Sequence, residues 1–289
     1  MSSEPTLRLF DNPVRIAQAR RRMRRRQAVP TLAVIALCCV SAVLFAATSD
    51  GGAEVWRGTR DFLLIGVLAL LCYRGTLQVS TTLAGDQSSG LLDFHRATPT
   101  SAWTDALGYA LGCSAREYAG ALVVAPFFVA ASLFAGGTLT AALLALYVVW
   151  MATLVCHAYG MLSGLTVKGR RAGHSVATVL AVLFFIAYST SSVRYLGLAH
   201  ATPVPALVSL GYLAAPSSPA GAGLPPLTFF GVPCSHLTYT VLLQGFLLVF
   251  LVWSTARKLR SEFAHAFTRP GALAFFAFAV VLLVAPVWE

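Results

Sequence analysis

Three charges sit inside the apolar runs of this chain: Arg74 in the second run, and Arg116 with Glu117 low in the third. An ionisable side chain at that depth is costly, so it either holds a partner helix or lines a path for polar cargo. Holding helices together is the commoner use. Adjacent helical residues point about 100° apart, so Arg116 and Glu117 are not expected to pair with each other. Arg74 stands about nine residues above the end of its run near Leu83, and Glu117 about twelve beyond Asp105, or roughly 13 and 18 Å along a helix. Consecutive runs are neighbours, so an Arg74–Glu117 ion pair is expected to fix the second helix against the third. Exchanging the two charges should then restore part of what either loss removes. His157, alone in the fourth run, is expected to be a hydrogen-bonded packing residue.

Catalytic patterns are missing. A P-loop needs a lysine directly after glycine to reach nucleotide phosphates. The chain has two lysines, and Val167 precedes Lys168 while Arg257 precedes Lys258. No phosphate-binding loop of that kind can form, and no HExxH, GxSxG or paired-carboxylate constellation occurs. Ser163-Gly164 and the serines Ser189, Ser191 and Ser192 lack an acid–base partner and suit helix packing. Cys38, Cys39, Cys72 and Cys156 lie within apolar runs, Cys113 near the start of the third, and Cys234 in a loop. Without a CxxC they read as small buried hydrophobes, so neither a metal nor a disulfide framework is expected.

The elements that must position these residues are membrane helices. Hydrophobic residues make up 57% of the 289 and charged ones 11%, against about 25% in a soluble domain. Six runs reach crossing length: 30–48, 62–83, 118–135, 139–165, 176–193 and 237–253, and a seventh, 272–287, is short for a full crossing. The third could start earlier, near Asp105. Lipid offers no partners to an open backbone, so the spans are helices. The fold class is all-α, a polytopic helical membrane protein, with no repeat period. The basic residues cluster before the first run, at Arg96, at Lys168, Arg170 and Arg171, and from Arg257 to Arg269. These hold 16 of the 21 Lys and Arg and place the N-terminus on the cytoplasmic side, and a multi-pass protein of the cytoplasmic (inner) membrane is expected. The net charge of +10 then reflects topology and attraction to anionic lipid, with no nucleic-acid partner expected.

Residues 1–29 form a basic tail. Asp11 or Asn12 can cap a helix with Pro13 in its first turn, and Val14, Ile16, Ala17 and Met23 give a thin apolar stripe over Val14–Gln27. An interfacial helix is expected there, before the chain turns up at Pro30, and the long basic lead argues against a cleavable signal. Residues 30–256 form the six-span body. No Asp, Glu, Lys or Arg occurs in the 62 residues between Arg194 and Arg257, which hold seven of the 14 prolines. Proline stops long helices, and Val204–Ala215 is apolar, so 197–235 reads as short re-entrant or interfacial helices. Residues 257–289 are a cytoplasmic linker and the seventh run, apolar all round, which suits a crossing with Glu289 outside.

Between the second and third runs lies a polar island, Gly85 to Pro99, reading Gly-Asp-Gln-Ser-Ser-Gly-Leu-Leu-Asp-Phe-His-Arg-Ala-Thr-Pro. Its acids, glycine break and terminal Thr-Pro suit a small helix that docks on a cytoplasmic partner. With the topology and the basic N-terminal helix, this segment resembles the ABC-2 family of ABC transporter permeases. That family typically reads Glu-x-x-x-Gly-Thr-Leu-Glu-x-Leu-x-x-Thr-Pro. Here Asp86 stands at the first acid, Gly90 matches, Leu91 and Leu92 fill the apolar pair, Asp93 takes the second acid, and Thr98-Pro99 match. Leu107-Gly108 and Leu111-Gly112 follow a Leu-Gly-Lys-Leu-x-Gly pattern, with Tyr109 in place of the lysine. The resemblance covers about residues 10–260.

The resemblance implies an export permease that works as a homo- or heterodimer with a second permease and with an ABC ATPase subunit. That ATPase would hold ATP and Mg; this chain would hold no cofactor. Residues 85–100 would be the coupling helix, with Asp86, Gly90, Leu91, Leu92, Asp93, Phe94, Arg96, Thr98 and Pro99 facing the ATPase. Replacing Asp86 and Asp93 together by Arg should uncouple the complex. Two other readings fit the same runs: a membrane subunit that uses ATPase motion to assemble an envelope complex, and a secondary transporter.

Overall fold

The computed structural model describes residues 12–97, 100–167, 171–189, 197–213, 227–229, 231–261 and 265–284. A short helix α1 (Pro13–Arg22) leads into α2 (Arg25–Thr48). Helix α3 (Gly52–Leu68), a π-helical segment (Ala69–Gly75) and α4 (Thr76–Ser88) follow without a break, a rod of 37 residues. Next come α5 (Leu91–Ala97), α6 (Ala102–Gly112), α7 (Ala115–Phe134), α8 (Leu139–Thr166) and α9 (Arg171–Ser189). A 3₁₀ turn (Gly197–Ala201), α10 (Val204–Ser209), a hairpin of β1 (Leu227–Phe229) and β2 (Val232–Cys234), α11 (His236–Arg260) and α12 (Arg269–Val284) complete the chain. Among the described residues, α2, the rod, α7, α8 and α11 are long and apolar enough to cross a membrane, while α9 and α12 are apolar but shorter.

Helix α8 is the centre of the bundle and packs most extensively on α4 and α11. In lipid no hydrophobic force drives helices together, so close approach depends on small residues. Gly160 and Gly164 supply it. An added Cβ at Gly160 would stand 2.9 Å from the Thr76 carbonyl oxygen, and one at Gly164 2.6 Å from that of Ser80. Ser163-Gly164 is thus part of a packing seam, as expected. The periphery is apolar outward. Only 11% of the apolar window of α2 is buried, and Val34, Leu37, Leu44 and Phe45 are exposed along it. Contiguous apolar surface of that kind belongs in hydrocarbon.

The structure adds to the sequence reading at four places. The second run is longer: its polar lead from Gly52 to Asp61 continues the same helix, and Arg60 within it is buried. Arg60 pairs with Asp61 at 2.8 Å, donates to the Gly211 carbonyl at 2.8 Å and stacks on the Tyr212 ring at 4.4 Å. The third run divides at Cys113 and Ser114, so α6 and α7 are separate helices rather than one rising from Asp105. The apolar segment from Val204 packs into the protein core over its described residues, 204–213. Val204 to Leu207 are buried, and Leu207, Tyr212 and Leu213 join the main core beside Phe128 and Leu64. The hairpin, turned at Gly231 with φ +75°, was not foreseen among short helices.

Helix α12 runs antiparallel to α11. Gly271 meets Trp253, Phe275 lies 5.0 Å from Phe250, and Phe278 lies 4.0 Å from Phe246. Its far end reaches the 3₁₀ turn, so the segment retraces α11 rather than lying across its end.

Candidate functional site

The charged residues expected in the membrane meet at the start of α7. The Glu117 side chain is 1% exposed, and its Oε1 forms an ion pair with Arg74 Nε at 3.5 Å and accepts a hydrogen bond from Arg116 Nη2 at 3.2 Å. The Arg74–Glu117 pair is as expected. The Arg116–Glu117 pair corrects the sequence reading: both residues fall in the first turn of α7, where no preceding turn crowds them, and the long arginine side chain curls back despite the 100° offset. An acid in a helix's first turn is also favoured by its dipole. Arg74 is 53% exposed and belongs to the π segment.

His157 explains where the π segment sits. Its ring is fully buried, with Nε2 3.2 Å from the Leu71 carbonyl oxygen and Nδ1 3.0 Å from Tyr118 Oη. A carbonyl can only accept, so Nε2 carries the proton and Tyr118 donates to Nδ1. A π turn changes the pairing of the ladder, and the imidazole fills the place beside Leu71. Gly75 makes room for the ring, since a Cβ there would stand 2.7 Å from Nε2. His157 is a hydrogen-bonded packing residue, as expected. The π segment itself had no signal in the sequence.

The polar island takes a different shape from one continuous docking helix. Helix α4 continues to Ser88, the chain reverses at Gly90 with φ +76°, and α5 runs only from Leu91 to Ala97. Leu92 is buried against Leu83, Ala102 and Leu259, while Leu91 and Asp93 are exposed. Arg96 bonds Asp93 at 2.6 Å and donates to the carbonyls of Leu259 at 3.0 Å and Lys258 at 3.3 Å. It therefore caps the C-terminus of α11 and clips α5 to it. The side chain of Phe94, and all of Thr98 and Pro99, lie outside the described residues.

Asp86 faces inward. It is buried, and its Oδ2 accepts from Tyr109 Oη at 2.9 Å and from Gln18 Nε2 at 3.1 Å. Burial, then the Asp86 charge, push the Tyr109 phenol well above its ordinary pKa, so it stays a donor. The acid therefore latches α1 and α6 to α4. It was read as a surface charge, and the tyrosine that replaces the pattern's lysine is its partner.

Glycine makes the same latch close-fitting. Asn12 caps α1 by accepting from the amides of Val14 and Arg15, as expected with Pro13 behind it. A Cβ at Gly108 would lie 2.9 Å from Val14 Cβ, and one at Gly112 2.9 Å from Gln18 Cβ and from the Arg15 carbonyl oxygen. The helix docks through Asn12, Val14 and Gln18 rather than through the whole apolar stripe, because Ala17 and Met23 are exposed. Gly112→Val should therefore free α1 at a cost of about 1–3 kcal/mol. Hydrogen exchange would show it as faster exchange over 13–22 with α8 unchanged; equal protection of α1 in variant and wild type would contradict the latch.

No family model matches this chain, and no curated protein or solved structure matches it significantly.

Proposed function

We propose that this chain is the membrane permease subunit of an ATP-driven exporter of the ABC-2 type. Its N-terminus is then cytoplasmic, and it works with a second permease and a separate ATPase subunit that holds ATP and Mg. The observation that carries the reading is α5. This short helix lies at the end of the molecule that holds Arg20–Arg26 and Arg257–Arg260, exposes Leu91 and Asp93, and is clipped through Arg96 to α11. A helix held in that way passes a push from a docked subunit into α11 through Arg96 and into the rod through Gly90.

The rod then connects the docking end to the π segment and to the Arg74–Glu117–Arg116 cluster. A helix with an irregular segment beside buried charges is a natural place for a two-state change. The same irregular segment is what supports a secondary transporter as the second reading, since those proteins break helices near their binding sites. Affinity purification of the tagged chain from its native membrane separates the two. The exporter reading expects an ABC ATPase in stoichiometric amount, and no ATP hydrolysis by the chain alone. Purification with no ATPase, together with ion-gradient-driven uptake by the chain alone, would establish the alternative.

A further inference from the structure

A polar cavity of about 610 Å³ lies between the α1–α2 link and α4. Arg21, Arg22 and Arg24 line it, with Thr82, Ser89 and one carboxylate, Asp86. Three guanidiniums face one acid, and that acid's Oδ2 is already held by Tyr109 and Gln18. Arg22 donates to Thr82 Oγ1 at 2.8 Å, yet its Nε–H is buried without a hydrogen-bond partner among the described residues. A buried donor left open costs about 1–3 kcal/mol, so the site is incomplete as it stands. The volume falls within the roughly 300–1,000 Å³ of small-molecule sites.

The cavity does not end at the arginines. A second groove of about 640 Å³, between α4 and α9, shares Thr81 and Gly85 with it. That groove shares Tyr73 with a third cavity of about 330 Å³, lined by apolar side chains of the rod, α9 and α10. The three follow one side of the rod and grade from basic to apolar. A free inorganic anion would use only the first. An amphiphile with an anionic head and a hydrocarbon tail would use all three. The first cavity also lies where α2 leaves its arginine-rich lead, the level at which a spanning helix meets lipid headgroups.

We propose that this track binds an anionic phospholipid, its phosphate on Arg21, Arg22 and Arg24 and an acyl chain along the rod toward Tyr73. Arginine suits the phosphate because its planar fork binds two oxygens at once. The assignment is independent of the exporter reading, since it concerns occupancy and not transport.

Native mass spectrometry of the full chain released from nanodiscs tests it. The nanodiscs contain phosphatidylcholine with or without phosphatidylglycerol. Wild type should retain one phosphatidylglycerol in preference to phosphatidylcholine. At about 1 kcal/mol per arginine, Arg21→Gln with Arg24→Gln should cut that retention about ten-fold or more. Arg20→Gln with Arg26→Gln removes the same charge from exposed positions outside the cavity and should leave it nearly unchanged. Arg24→Gln alone, at an exposed helix cap, is the milder variant should the pair misfold. Millimolar inorganic phosphate should not displace the lipid. Equal losses in both double variants, no preference in wild type, or full displacement by phosphate would each overturn the proposal, the last by assigning the site to a free anion.

Discussion

Glu117→Ala should destabilise this protein by about 3 kcal/mol, among the largest effects of any one substitution. Glu117 is 1% exposed and holds two arginines. Its loss leaves Arg116, 12% exposed, as a buried cation without its carboxylate. Arg74→Ala should cost at most about 1 kcal/mol, because its side chain is 53% exposed and its bond to Glu117 is longer. Arg116→Ala combined with Glu117→Ala should be less damaging than Glu117→Ala alone, since the stranded charge is gone. Exchanging Arg74 and Glu117 should not restore stability, contrary to the reading from depth alone. It would set a second guanidinium beside Arg116 in a buried first turn. Reversible unfolding in mixed micelles measures all four variants. Equal losses for Glu117→Ala and Arg74→Ala, or recovery on exchange, would show that Arg116 is not a partner.

The second large effect should come from Gly75→Val. Its first added carbon would stand 2.7 Å from His157 Nε2 and 3.4 Å from Ser114 Cβ. His157 is fully buried and tied to Leu71 and Tyr118, so it has nowhere to turn. Overpacking costs about 1–3 kcal/mol. Displacing the ring also breaks its hydrogen bond to the Leu71 carbonyl, which adds about 1 kcal/mol. In a His157→Ala background the clash disappears, so the same substitution should cost much less there. Thermal unfolding of the four members of that cycle gives the coupling. Additive losses would mean that the π segment does not depend on the histidine.

The long helices were legible because an apolar run of about twenty residues has one stable form in lipid. The α1 cap was legible because Asn12-Pro13 satisfies a helix start locally. The Arg74–Glu117 pair was legible because consecutive apolar helices are neighbours, although the depth count behind it ran along a helix that in fact breaks at Cys113 and Ser114, so Glu117 opens α7 instead of standing twelve residues up one rod. What could not be read depends on contacts between distant segments. Asp86 sits among Gly, Gln and Ser and reads as exposed, but Gln18 and Tyr109 enclose it from 68 and 23 residues away. Arg60 lies just outside the apolar run 62–83, and nothing local shows that Gly211 and Tyr212 cover it. The π segment lies where His157 reaches across from α8 to the Leu71 carbonyl, and no local pattern encodes that contact. The proline-rich segment carried the right breaks but not the burial of Leu207 and Tyr212 in the core.

The burial of Asp86 also changes how docking must be tested. Replacing Asp86 and Asp93 together would disturb the α1 latch as well as the surface, so a loss of activity would not identify the docking helix. Among the described residues, Leu91 and Asp93 are exposed on α5, and the Asp93 side chain is 68% exposed. The direct measurement is ATP hydrolysis by the co-purified complex in nanodiscs, comparing wild type with Leu91→Arg/Asp93→Arg. If α5 is the coupling helix, the double variant should fold as wild type does, yet lose the ATPase subunit or at least about ten-fold of its stimulated hydrolysis, the scale of one to two kcal/mol at an interface centre. A folded double variant that retains the ATPase subunit and hydrolyses ATP at the wild-type rate would contradict the assignment.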